Sequence, residues 1–325
     1  NYSSRNSQRN TGSNSANDCF NSRKSSTSRW FSKSSTSAPT LFRYRSLYTG
    51  GSLSDLVRRP KLIATDLDGT IVPHYGKISE RTKAAFTAAH NLGIEIFYVT
   101  GRPPRWMPEI AETFPFGKSI LGNGALYYDI HNQKILEEWL MPVENQIQTV
   151  NILRRAIPTI SFAVEAHNYF HREKAYVPRW DVGLDNVGVH DITEIMQGPA
   201  LKILARCSDQ ELTSDEMLEV ALRELEGVAT VTHSNLHDSL LEINAQGISK
   251  GSTLAKLALR HGISAEQSVA FGDNPNDFTM LAWAGRSWAM ADGHPDGHKH
   301  AKYVAGPHQE DGVAIEIEKL LELPA

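Results

Sequence analysis

Cysteine is scarce: the 325 residues hold two, Cys19 and Cys207, far apart and in segments of different character. That excludes a disulfide framework and a cysteine-rich metal site, and it fits a reducing compartment. No apolar run approaches the roughly 18 residues that a membrane span needs, so nothing reads as a membrane anchor. Acids are nearly absent from the first fifty residues, which carry fourteen Ser, six Arg and two Lys against Asp18 alone. Aromatics are scattered there without an apolar period, and such a segment cannot bury enough surface to fold. Residues 1–57 are therefore expected to be a disordered leader. It resembles an organelle transit peptide, but a leader with no function of its own fits the opening at Asn1 as well and is the reading taken. A nucleic-acid tail is disfavoured, because no aromatic platform or recognition motif accompanies the basic charge. The first fifty residues carry a net charge near +7 and the whole chain −4, which leaves the remainder near −11. A polyanion is a poor partner for that body, so neither nucleic acid nor membrane is expected to bind it. The expected location is cytoplasmic, or an organelle if the leader is a transit peptide. Nothing in the sequence specifies an oligomeric state.

What is present is a 40% apolar chain long enough for a real core. From Lys61 onward its pattern alternates strand and helix, as in a layered α/β domain. Lys61 to Ala64 is an apolar strand that runs into Thr65-Asp66-Leu67-Asp68-Gly69-Thr70. In open α/β sheets ligands bind beyond the carboxyl ends of the strands, so these acids stand at the mouth of the sheet. With Leu67 turned inward, Asp66 and Asp68 share a side. One carboxylate can attack phosphorus and hold a hard cation, while the other can shuttle a proton. A solvated Asp-Gly turn explains the pair alone at least as well; partners elsewhere in the chain decide between the two.

Those partners recur at strand ends. Ile94 to Val99 reads as a strand ending in Thr100-Gly101-Arg102, whose hydroxyl, free N–H and guanidinium can hold phosphate oxygens. Ser119 to Leu121 is another strand, followed by the tight connection Gly122-Asn123-Gly124. Leu240 to Ile243 resumes the pattern, and Gly247-Ile248-Ser249-Lys250-Gly251 opens a helix. Lys250 opposes the helix dipole there, which makes sense beside a bound anion. Ser268 to Phe271 is a strand ending in Gly272-Asp273-Asn274-Pro275-Asn276-Asp277, a second pair of carboxylates. Between these pieces lies a second α/β module, within which the irregular stretch His167 to Pro199 carries His167, His171, Arg172, Lys174, Arg179 and Trp180. Cations beside an aromatic suit a phosphorylated organic substrate, and an ordinary solvated loop fits equally well. The histidines lack the tight spacing of a zinc motif.

In their order, Asp66-Leu67-Asp68, Thr100, Lys250 and Asp273 with Asp277 resemble the four motifs of the haloacid dehalogenase superfamily. The insertion between the second and third motifs, the Asn123-Gly124-Ala125 turn and the Ile248-Ser249-Lys250-Gly251 run are similar to the Cof-type phosphatases. The resemblance covers Lys61 to the C-terminus. It implies a Rossmann-like parallel-sheet core, residues 58–122 and 240–325, with an inserted α/β cap over 123–239. Asp66 would be the nucleophile that forms an aspartyl-phosphate, and Asp68 the general acid and then base. Mg²⁺ would be held by Asp66, the Asp68 carbonyl and Asp273, supported by Asn276 and Asp277. Thr100, Gly101 and Lys250 would bind the phosphoryl oxygens, with Arg102 and Asn123 as further phosphate contacts. The implied substrate is a small phosphorylated metabolite, a sugar phosphate or a phosphorylated cofactor or its precursor. A phosphomutase, or a non-catalytic binding module on the same fold, are the alternatives.

Overall fold

Four residues without polar alternation, Leu62–Thr65, form β1 and are buried throughout, as a strand in the middle of a parallel sheet must be. The computed structural model describes residues 58–73, 77–167, 169–178, 186–207 and 212–325. The leader over 1–57 with Cys19, and Arg179 and Trp180, lie outside the described residues. After β1 come α1 (Glu80–Asn91), β2 (Glu95–Val99), α2 (Pro108–Thr113), β3 (Lys118–Leu121), β4 (Leu126–Asp129) and β5 (Lys134–Glu138). The middle of the chain forms α3 (Val143–Ala156), β6 (Ile160–Glu165), β7 (Phe170–Arg172), β8 (Lys202–Cys207), α4 (Ser214–Glu224), β9 (Ala229–Thr232) and β10 (Leu240–Ala245). The last part forms α5 (Lys250–Arg260), β11 (Ser268–Gly272), α6 (Phe278–Trp283), β12 (Arg286–Met290), α7 (Gly297–His300), β13 (Tyr303–Ala305) and α8 (Gly312–Leu321).

The strands make two sheets. The first runs β13-β12-β11-β1-β2-β3-β4-β5. It is parallel from β13 to β3, and β4 and β5 add an antiparallel edge. Helices cover both faces: Phe86 of α1 and Ile317 of α8 join one apolar cluster with Tyr98, Phe114 and Phe271. Leu254 and Leu257 of α5 and Met280 of α6 join the other with Leu62 and Phe97. The second sheet, β7-β6-β8-β10-β9, is antiparallel. Its strands alternate cleanly. Phe162, Ile203, Ala205, Leu241 and Ile243 pack under α3 and α4 with Val150, Leu153 and Met217. Their neighbours Glu165, Lys202, Leu204, Leu240 and Glu242 line a cavity on the opposite face.

The expected parallel sheet and inserted α/β module are both present. Three strands sit elsewhere than the boundaries at 122 and 240 assume. The hairpin β4–β5, read as the start of the insertion, extends the first sheet, because the turn after β3 is tight enough to return β4 against β3. Strand β10, read as the return of the core, lies between β8 and β9 of the second sheet. Among the described residues no helix is long and apolar enough to cross a membrane.

Candidate active site

The carboxyl ends of β1, β2, β3 and β11, with the N-terminus of α5, converge on one place. Asp66 extends the β1 ladder by one residue, its N–H donating to the Phe271 carbonyl at 3.0 Å. The chain then turns back on Leu67, whose carbonyl accepts the N–H groups of Thr70, Ile71 and Val72. Gly69 makes that turn at φ +80°, and a Cβ there would stand 2.4 Å from Asp273 Oδ2. Glycine is thus required twice over, for the backbone angle and for the close approach of a carboxylate.

Lys250 is completely buried at the start of α5, a helix capped by Ser249, which exchanges hydrogen bonds with Ser252. Its ammonium lies 2.6 Å from Asp66 Oδ1 and 2.6 Å from Asp277 Oδ1. The other Asp277 oxygen accepts the N–H groups of Asp273 and Asn274, at 3.0 and 3.1 Å. Both oxygens of Asp277 are therefore engaged by the protein. Burial, then the Asp277 charge, push the Asp66 carboxyl up to about 7 against the pull of Lys250. Burial and the charges of Asp66 and Asp277 likewise raise Asp273 well above the ordinary range. Burial alone would lower the Lys250 ammonium, but the charges of Asp277 and Asp66 outweigh it and raise the group. Oxygens of Asp66, Asp273 and Asp277 lie within 4.8 Å of one another. Three carboxyls against one lysine leave an excess of negative charge, and an all-oxygen donor set with that deficit fits a hard divalent cation.

Asp68 differs from Asp66 in being half exposed. Arg102 forks it, with Nε 2.8 Å from Oδ2 and Nη2 2.5 Å from Oδ1. The Arg102 N–H donates to Thr100 Oγ1 at 3.1 Å. Asp66, Asp68, Thr100, Gly101, Arg102, Asp273 and Asn276 all border a cavity of about 740 Å³ between the two sheets. Lys250, Asp277 and Asn123 do not border it. Asn123, expected as a phosphate contact, instead donates to Glu242 at 3.1 Å and accepts from Asn276 at 3.2 Å. Arg102, also expected at the phosphate, is committed to Asp68.

The far wall holds residues that sequence reasoning missed. Arg105 forks Glu165 at 2.6 and 3.0 Å, and Lys202 pairs with Glu242. Phe170, Leu204, Leu240 and Trp106 supply apolar surface. The only signal for Lys202 and Glu242 is a single charge inside an apolar run. None of His167, His171, Arg172 and Lys174 borders the cavity. Arg172 donates to the carbonyls of Glu173, Tyr176 and Asn186, and His167 pairs with Glu138 at 3.0 Å. Arg172 holds its own loop together, and His167 reaches across to β5.

A second cluster joins the two layers. Asp215 of α4 lies 2.8 Å from His233 Nε2 and 3.2 Å from His294 Nε2, and these atoms are close enough to share an ion. His294 Nδ1, however, accepts the Asp296 N–H at 3.1 Å, so its proton sits on Nε2 and is donated to Asp215. The cluster is a hydrogen-bonded clasp.

The profile of the haloacid dehalogenase-like hydrolases matches residues 63–317, well over half of the chain. The chain belongs to that family and is an enzyme. It is similar to the 5-amino-6-(5-phospho-D-ribitylamino)uracil phosphatase YcsE of Bacillus subtilis, 26% identical over 79% of this chain and 94% of the relative. It is likewise similar to the pyridoxal phosphate phosphatase YbhA of Escherichia coli, 27% identical over 78% of this chain and 96% of the relative. Among solved structures, SMU.1108c of Streptococcus mutans superimposes with a TM-score of 0.69 at 22% identity, over 81% of this chain and 99% of that one. The HAD subclass IIB sugar phosphatase BT4131 gives 0.66 at 21% identity, over 80% and 98%. At these identities the two structures speak for the fold.

Proposed function

We propose that the protein is a Mg²⁺-dependent phosphatase of a small phosphorylated metabolite. The observation that carries this reading is the division of labour between two acids two residues apart. Asp66 is buried against Lys250 and faces the cavity, whereas Asp68 is half exposed in the fork of Arg102. Asp66 attacks phosphorus as the bond to the leaving oxygen breaks, and Asp68 gives that oxygen its proton. Asp68 then takes a proton from water, whose oxygen attacks the aspartyl-phosphate and frees Asp66 and inorganic phosphate. Thr100 and the Gly101 N–H hold the phosphoryl oxygens. Lys250 holds Asp66 in place and offsets part of the local negative charge, with Asp277 fixing it from behind. The side chains of Asp66 and Asp273 and the Asp68 carbonyl would hold Mg²⁺, with Asn276 and Asp277 in support. When bound, that ion neutralises the charge of an approaching phosphate and of the transition state.

The second sheet with α3 and α4 acts as a cap that closes over the reacting group and excludes water. A space of about 740 Å³ suits a small metabolite. The two relatives named for a ribitylaminouracil phosphate and for pyridoxal phosphate support a substrate of that size. EDTA should abolish phosphate release from a panel of phosphomonoesters, and added Mg²⁺ should restore it. Full turnover without metal would refute the mechanism. Transfer of the phosphoryl group to a second sugar position, in place of release, would point to a mutase.

A further inference from the structure

The second sheet reaches the turns of the first through two buried side chains that the proposed chemistry leaves without a role. Lys202 opens β8 and Glu242 lies on β10, 5% and 4% exposed, and they form an ion pair on the cavity face. Lys202 Nζ also donates to the Gly101 carbonyl at 2.9 Å. The free oxygen of Glu242 accepts from Asn123 Nδ2 at 3.1 Å. Charges in apolar strands are costly unless partnered, and these two have partners across the cavity, in the turns after β2 and β3. Burial would raise the Glu242 carboxyl; the Lys202 charge, with hydrogen bonds from Lys202 and Asn123, outweighs it and holds the group below its ordinary range.

The contact falls on a sensitive peptide. The plane that begins with the Gly101 carbonyl ends in the Arg102 N–H, which donates to Thr100 Oγ1 at 3.1 Å. Lys202 holds one end of this plane and Thr100 the other. Because the Thr100 oxygen accepts there, its hydroxyl proton remains to be donated to a ligand. The same plane launches Arg102 toward Asp68. A side chain at position 101 would crowd both partners, since a Cβ would stand 3.0 Å from Asn123 Oδ1 and 3.4 Å from Lys202 Nζ. Asn123 passes the constraint on to Asn276, beside the acids of the β11 turn.

We propose that Lys202, held by Glu242, is a positioning residue: with the cap docked, its grip on the Gly101 carbonyl sets the turn Thr100–Arg102, and with it the phosphate-binding hydroxyl and the Arg102–Asp68 fork. The inference rests on the phosphatase reading. It makes cap docking and assembly of the phosphate site one event, through a residue that never touches the reacting atoms.

The test compares wild type with Lys202→Met/Glu242→Gln, which removes both charges together so that neither is left buried and unpaired. Lys202→Met and Lys202→Arg provide second measurements should the double change cost the fold. Each is read by melting temperature, by kcat and KM on p-nitrophenyl phosphate, by inhibition by inorganic phosphate, and by the rise in melting temperature that phosphate causes with Mg²⁺ present. The folded double variant should lose about tenfold or more in kcat and bind inorganic phosphate about tenfold more weakly, and Lys202→Arg should recover much of both. A folded variant with kcat and phosphate inhibition within about twofold of wild type overturns the proposal and leaves Lys202 a structural role. A rise in KM confined to larger substrates also overturns it, and makes Lys202 a contact to the leaving group. If wild type releases no phosphate from any ester, the phosphatase reading fails. The phosphate-induced melting shift still decides on Lys202: smaller in the variants supports positioning, equal in all overturns it.

Discussion

Asp66 has to be an anion beside two others, and among the described residues Lys250 is the single cation bonded to it. Its carboxyl titrates near 7 in the folded chain against an ordinary 3.8, so between those values the folded state holds a proton that the unfolded state has lost. Stability of metal-free protein should therefore fall as pH rises from about 4 toward 7 and level off above. Urea unfolding in EDTA should give a lower midpoint at about pH 8 than at about pH 5, and Mg²⁺ should remove the difference, because it takes over the role of the proton. An EDTA midpoint that is equal or higher at the alkaline end would contradict the charge excess. Asp66→Asn removes the nucleophile and reduces the excess charge. Phosphate release should fall by at least about 1,000-fold, while urea unfolding in EDTA at about pH 8 should show a variant no less stable than wild type. Residual turnover near the wild-type rate would remove Asp66 from the role of nucleophile.

At the level of elements, α5 matters for where it begins. Ser249 caps it and Lys250 follows immediately, so the cap fixes the origin of the lysine as well as the helix. Ser249→Ala should cost about 1 kcal/mol in urea unfolding, as loss of an N-cap does, and should lower kcat as well. A stability change without any change in kcat would mean that Lys250 is held by Asp66 and Asp277 alone. The strand ends bearing Asp66, Thr100 and Asp273 were legible in the sequence, because an apolar run that stops at polar residues is a local pattern. The sheet to which a strand belongs was not. β10 reads as Leu-Leu-Glu-Ile whether it pairs with β8 or with the core, and β4 is placed in the first sheet by the closeness of its turn. Lys202 and Glu242 were illegible for a related reason: their partners Gly101 and Asn123 are 101 and 119 residues away. A lone charge in a strand does not name its counterpart. The cationic loop from His167 drew attention by composition, but Arg172 spends its donors on nearby carbonyls.

For the whole molecule, the site is a partly enclosed space between two sheets, and its size limits what can enter. A cavity of about 740 Å³ roofed by Glu165, Lys202 and Glu242 takes a sugar or a ring with its phosphate but no polypeptide. Phosphopeptides should be hydrolysed at least about 100-fold less efficiently than the best small phosphomonoester, measured as kcat/KM by phosphate release. Comparable rates would mean that the cap stands open during turnover.

The pairing of β1 has a consequence for how the chain is made. Leu62 lies beside Glu95 on one side and beside Ser268 on the other, a residue synthesised about two hundred positions later. At ribosomal speed that delay is on the order of 10–40 s. Until β11 emerges, one edge of β1 is bare and Asp273 has not yet been translated. A nascent chain stalled before Ser268 should therefore carry the Asp66 strand without any phosphatase activity, so competence would arrive late in translation, after the whole insertion has left the exit tunnel.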